Sequence, residues 1–195
     1  MQDHPKAILV AGPNGAGKTT FVRQYLETHP GLEYLSADVL AFELSPGRPE
    51  RAYVTAGKVY FRRLKDLLHA RSSFVTEVTL ASARFARHVE RFQEAGYGVE
   101  LIFIHLDSPE LCVARVAERV RKGGHAVGRD DIVRRYGRSV SNFWTKYRYG
   151  VDGWFLMQNS SESFTLVAFG SPTSLTVEEV GLYDSFLRGV GHDAC

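Results

Sequence analysis

Gly12-Pro13-Asn14-Gly15-Ala16-Gly17-Lys18-Thr19 constrains this chain more than any other stretch of its 195 residues. It matches G-x-x-x-x-G-K-[ST] at Gly12, Gly17, Lys18 and Thr19. The glycines let the backbone wrap closely enough for its N–H groups to point at phosphate oxygens. A helix opening near Thr19 adds free N–H groups and the positive end of its dipole. In such a loop Lys18 reaches the β- and γ-phosphates, and the Thr19 hydroxyl is the expected ligand for Mg²⁺. The expected binding segment for ATP or a close relative is therefore Gly12, Asn14, Gly15, Ala16, Gly17, Lys18, Thr19 and Thr20. Context supports the motif. The apolar run Ala7–Ala11 reads as a strand buried on both faces, and Phe21, Val22, Tyr25 and Leu26 read as an amphipathic helix.

Beyond the loop, strand and helix patterns alternate. Strands are predicted over 33–36, 73–78, 99–106, 153–157 and 164–169, the last two joined across Asn159-Ser160-Ser161-Glu162. Helices are predicted from about Asp38, over 49–71, 81–95 and 108–122, from Asp130 to about Tyr147, and from Thr176 to about Leu187. Ser108-Pro109 supplies an N-cap and first turn, Gly96 a C-cap, and Gly123-Gly124 a break. The alternation implies one α/β domain over 1–195 with a doubly wound, mostly parallel sheet and helices on both faces. Ligands of such a sheet bind at the carboxyl ends of its strands.

Charge and cysteine narrow the class further. The chain is 44% apolar and 24% charged, with a net charge of +2. Ten Lys/Arg against three Asp/Glu lie between Arg115 and Arg148, a local +7 that leaves −5 for the rest. That excess suits a polyphosphate ligand or nucleic acid, although a solvated helix face is the commonest meaning of a charge run. Apolar runs are short and broken by charge, so no membrane association is expected. Met1–Lys6 leads straight into a strand, leaving no room for a signal peptide. Cys112 and Cys195 are poorly placed for a disulfide, and together these features suggest a cytoplasmic protein.

The reaction is not fixed by a phosphate loop. No Asn-Lys-x-Asp motif appears, which disfavours a GTPase, and no LSGGQ-like signature appears, which disfavours a transporter ATPase. Asp38 opens a helix after the second strand, where it can accept a proton from an acceptor hydroxyl or serve as an N-cap. Glu77 ends the third strand, placed to meet the Mg²⁺ shell or the acceptor, and Thr79 can bond the same acceptor. Asp107 is read as support for the following helix start. Arg115 and Arg119 share one helix face, so a mobile lid over 108–148 can bring arginines onto the phosphates. His125 is assigned no role, and Asn142-Phe143-Trp144 reads as packing.

In order along the chain, Ala11–Thr20, Ser36-Ala37-Asp38, Phe74–Leu80, Gly123–Val127 and Ile132–Ser139 resemble the zeta toxin family, in its short stand-alone branch. The resemblance runs from Lys6 to Asn159. Well-known members phosphorylate UDP-N-acetylglucosamine with ATP and so poison cell-wall synthesis. It implies Lys18 as the phosphate lysine, Asp38 as general base, Glu77 and Thr79 at the acceptor, and Arg119 among the phosphate arginines. It also raises the prospect of a protein antitoxin as partner. Val78, where a second threonine is common, and Gly128, where proline is common, depart from the pattern. The expectation is an ATP- and Mg²⁺-dependent small-molecule kinase of P-loop kinase fold. The alternatives are a kinase of polynucleotide ends and a non-catalytic ATP switch.

Overall fold

The computed structural model describes residues 4–124, 126–160 and 163–191. His125, Ser161, Glu162 and Cys195 lie outside the described residues, and with them the histidine of the Gly-Gly-His turn. A seven-stranded sheet has the order β2-β3-β1-β4-β5-β6-β7. Its strands are β1 (Lys6–Ala11), β2 (Glu33–Leu35), β3 (Phe74–Val78), β4 (Gly98–His105), β5 (Gly153–Gln158), β6 (Thr165–Ser171) and β7 (Ser174–Val177). β2 through β5 run parallel with β1 in their midst, and β6 and β7 close the sheet antiparallel. The helices are α1 (Lys18–Thr28), α2 (Ala37–Leu44), α3 (Tyr53–Ala70), α4 (Ala86–Glu94), α5 (Pro109–Arg121), α6 (Arg129–Asn142), α7 (Arg148–Gly150) and α8 (Val180–Val190). This is the doubly wound, mostly parallel fold that the alternation implies, with the phosphate loop between β1 and α1.

Continuous apolar strands are explained by two cores. Alternation along β1 sends Ile8 and Val10 to one face, where Val22 of α1 and Cys112 and Val116 of α5 cover them. Ala7, Leu9 and Ala11 face the other way, toward Tyr60 and Leu64 of α3, Phe92 of α4 and Phe186 of α8. Trp154 of β5 is fully buried there, edge-on to Phe143 and Trp144. Phe143–Tyr147 winds as a π-helix between α6 and α7, so the helix expected to end near Tyr147 continues to Gly150.

One boundary differs from expectation. Ser174–Val177 pairs with β6 as β7, and α8 starts only at Val180, whereas a helix is predicted from Thr176. Ser171 and Ser174 make a tight turn through their hydroxyls. Local turn chemistry and pairing with an available edge outweigh the short-range pattern.

His105 ends β4 with 4% of its surface exposed, and its Nδ1 has no hydrogen-bond partner among the described residues. Burial pushes its pKa down from 6.5 to about 4, against a smaller opposing pull from Asp107. The unfolded chain therefore binds a proton between these values that the folded chain refuses. Stability is full above pH 6.5 and should fall by up to about 3 kcal/mol as the pH drops to 4. Urea titrations at pH 7 and pH 4 should show this loss in the wild type and a smaller one in His105→Leu. Equal losses would place the acid sensitivity elsewhere.

Candidate functional site

The loop between β1 and α1 passes hard against its neighbours. A Cβ on Gly12, whose φ is 143°, would meet the Ile104 carbonyl at 2.3 Å. One on Gly17 would meet Asn159 Nδ2 at 2.4 Å. Only glycine fits at either place. Gly17 precedes α1 in a left-handed conformation with no side-chain cap, which leaves the first helical N–H groups open to an anion. The helix itself begins at Lys18.

A cavity of about 660 Å³ lies over this loop at the carboxyl ends of the strands. It is lined by Asn14, Gly15, Gly17, Lys18, Thr19 and Thr20, and on its far side by Asp38, Glu77 and Thr79, with Arg115 and Arg119. Gly12 and Ala16 do not line it; both are buried beneath it and shape the loop. All other expected site residues therefore meet in one cavity.

Lys18 donates from Nζ to the carbonyls of Gly12 and Pro13, both at 2.9 Å. Burial lowers its pKa, while the carboxylates of Glu77 and Asp38 pull it back up. Glu77 is held at both oxygens. Thr19 Oγ1 donates to Oε2 at 3.0 Å, and the Tyr34 hydroxyl donates to Oε1. Burial and then this carboxylate push the Tyr34 phenol well above its ordinary range. Thr19 and Glu77 thus offer hard oxygen donors side by side. No cluster of three or more His, Cys, Asp or Glu suited to a metal occurs among the described residues. That donor set fits Mg²⁺ arriving with a nucleotide, because this ion keeps water and phosphate as its main ligands.

Asp38 is not the N-cap of α2. Ser36 takes that role, its Oγ accepting from the Val39 N–H at 3.4 Å. Asp38 sits in the first turn with an exposed side chain on the cavity. Thr79 is followed by Leu80 in a left-handed conformation, φ 53°. Three side chains of the α6–π segment grip the carbonyls there. Ser139 donates to Thr79, Asn142 to Leu80 at 2.7 Å, and Tyr147 to Ser82 at 2.8 Å. Asn142 is thus more than packing.

Arg115 and Arg119 reach the cavity from α5, as their spacing predicts. Arg121 and Lys122 turn away to Glu118, and Arg134 pairs with Asp131, all exposed. Asp107 accepts from Gln158 Nε2, and the helix start is capped by Ser108 instead. Residues that sequence reasoning missed are Gln24, Ser36, Asn159, Ser163 and Phe164 on the cavity and Tyr34 behind it. Asn159 is buried and donates from Nδ2 to the Ala16 carbonyl at 2.8 Å. Its place immediately after a parallel strand is the signal that could have found it.

A family model described as an AAA domain matches residues 8–139, from β1 into α6. The chain belongs to that family. An uncharacterized protein of Haemophilus influenzae is 28% identical to this AAA domain protein over 131 residues, 67% of this chain and 92% of that one. The crystal structure of AvrRxo1-ORF1:AvrRxo1-ORF2 with sulphate ions superposes with a TM-score of 0.69 at 19% identity. The match covers 94% of this chain and 63% of that one, so the AAA domain protein spans under two thirds of its length. The same complex is known with ATP, at a TM-score of 0.67, 18% identity and the same coverage. The PezAT chromosomal toxin–antitoxin system of Streptococcus pneumoniae matches all of this chain and 81% of its own, with a TM-score of 0.68 and 18% identity. These likenesses show a shared fold.

Gly12→Ala adds a left-handed strain and a backbone clash at the cradle. A fluorescent ATP analogue should bind this variant roughly tenfold more weakly or worse. Unchanged affinity would mean that nucleotide does not sit on this loop.

Proposed function

We propose that this protein is an ATP-dependent kinase that transfers the γ-phosphate to a small-molecule hydroxyl, with a UDP-amino sugar as the favoured acceptor. One observation carries the reading: a single cavity holds a phosphate loop, an exposed aspartate at its far side and two arginines. The fold shared with the PezAT and AvrRxo1 structures supports a kinase of this kind, and the complex with ATP supports the nucleotide.

In this reading Lys18 leaves the Gly12 and Pro13 carbonyls for the β- and γ-phosphates. Mg²⁺, held by Thr19 with Glu77 near it, would neutralise phosphate charge. Asp38 accepts or orients the proton of the acceptor hydroxyl as its oxygen forms the new P–O bond. The bond to the ADP oxygen breaks, and Lys18, Arg119 and Arg115 stabilise the charge that spreads over the phosphoryl group. Glu77 and Thr79 bind the acceptor. The α5–α6 region, 108–148, acts as the lid of a single 1–195 domain. We place the protein in the cytoplasm, with a protein antitoxin as partner, since AvrRxo1-ORF1 and PezAT are both described in two-component assemblies.

A kinase of polynucleotide ends is the second reading, and it draws on the basic segment. Arg121, Lys122 and Arg134 are partly neutralised by Glu118 and Asp131, which favours the small molecule. Transfer of labelled γ-phosphate to a panel of UDP-sugars is the test. UDP-N-acetylglucosamine should be phosphorylated, Lys18→Ala should abolish transfer, and Asp38→Ala should cost about two to four decades in rate while ATP still binds. Near-full turnover by Asp38→Ala would remove the base assignment. ATP binding without transfer to any sugar would shift the case to oligonucleotide ends or to a switch.

A further inference from the structure

Tyr34 lies outside the cavity lining, yet its hydroxyl stands between the two halves of the site. On parallel strands Tyr34 pairs with Val75, and Glu77 is two residues on, so both side chains leave the sheet on the same face. Tyr34 donates from its hydroxyl to Glu77 Oε1, and Ser36 follows two residues along the chain. Ser36 is itself the cap of α2, the helix that carries Asp38. Thr19 completes the chain from the nucleotide side by donating to Glu77 Oε2 at 3.0 Å. Side-chain hydrogen bonds therefore join the phosphate loop through Glu77 to Tyr34, two residues before the cap of the Asp38 helix.

We propose that Tyr34 is a positioning residue that keeps Glu77 in place when Thr19 leaves it for the nucleotide. The inference rests on the kinase reading only for its acceptor arm. When the Thr19 oxygen turns to a nucleotide-bound cation, its O–H swings off the line to Glu77 Oε2 that it holds here. Glu77 then keeps one hydroxyl donor, Tyr34, and a half-buried carboxylate with no donor is costly. Tyr34 makes Thr19 cheap to release, and it fixes Glu77 toward the acceptor. The phenol stays protonated through the neutral range, because its pKa is raised, so the donor is always present.

A binding cycle on the full chain tests this without any acceptor. Calorimetry should show Tyr34→Phe binding Mg·ATP about three- to tenfold more weakly than wild type, since water offsets part of the lost bond. Binding of ATP in EDTA should be unchanged, because Thr19 then stays on Glu77. In a Glu77→Gln background, where no charge needs holding, Tyr34→Phe should have no further effect on Mg·ATP. Equal Mg·ATP affinity for wild type and Tyr34→Phe would overturn the proposal. So would a loss that persists in the Glu77→Gln background, which marks a purely structural tyrosine. If wild type phosphorylates UDP-N-acetylglucosamine, Tyr34→Phe should also raise the acceptor KM about tenfold with little change in kcat. A wild type that transfers to no UDP-sugar sinks the acceptor assignment, and the binding cycle still decides Tyr34.

Discussion

The close passage of the loop beneath the cavity is the constraint on which the site depends. Gly12 lies against the Ile104 carbonyl of β4, and Gly17 lies against the Asn159 amide beyond β5. Neither gap admits a methyl group. The phosphate-facing backbone is thus held from below by the sheet and from one side by the residue following a neighbouring strand. Parallel strands make this possible, since β1, β4 and β5 turn their carboxyl ends to the same edge, with Ala11 level with Phe103 and Leu156 and β4 and β5 reaching two residues further to His105 and Gln158.

Charge is distributed on the same plan. Lys18 is half-buried among groups that oppose each other, its burial set against the carboxylates of Glu77 and Asp38. The two arginines reach the same cavity from α5. The cavity therefore carries both signs, with Lys18, Arg115 and Arg119 lining it together with Asp38 and Glu77.

Much of this was legible in the sequence, for reasons that differ by residue. The loop motif fixes its own backbone, so Gly12, Gly17, Lys18 and Thr19 could be placed from spacing alone. Arg115 and Arg119 followed from helical periodicity. Asp38 and Glu77 could be placed at strand ends, but whether each faced the cavity depends on capping and register, which no local pattern reports. Ser36 took the cap and left Asp38 to the site. Tyr34 was invisible because its partner Glu77 is 43 residues away, and Asn159, whose partner Ala16 is 143 residues away, showed only its place after a strand. β7 was missed because it exists only by pairing with β6, an edge that the sequence around Thr176 does not announce.

The grip on the Thr79–Ser82 turn has a consequence for how such a site can change. Ser139, Asn142 and Tyr147 hold carbonyl oxygens, a group that every amino acid presents in the same way. The clamp is therefore indifferent to what side chains the turn carries. Val78, Thr79 and Ala81 can be exchanged while the turn keeps its course, provided that the buried Leu80 stays. The lining of the cavity at this turn can in this way change by point substitution while the phosphate loop beside it is left intact.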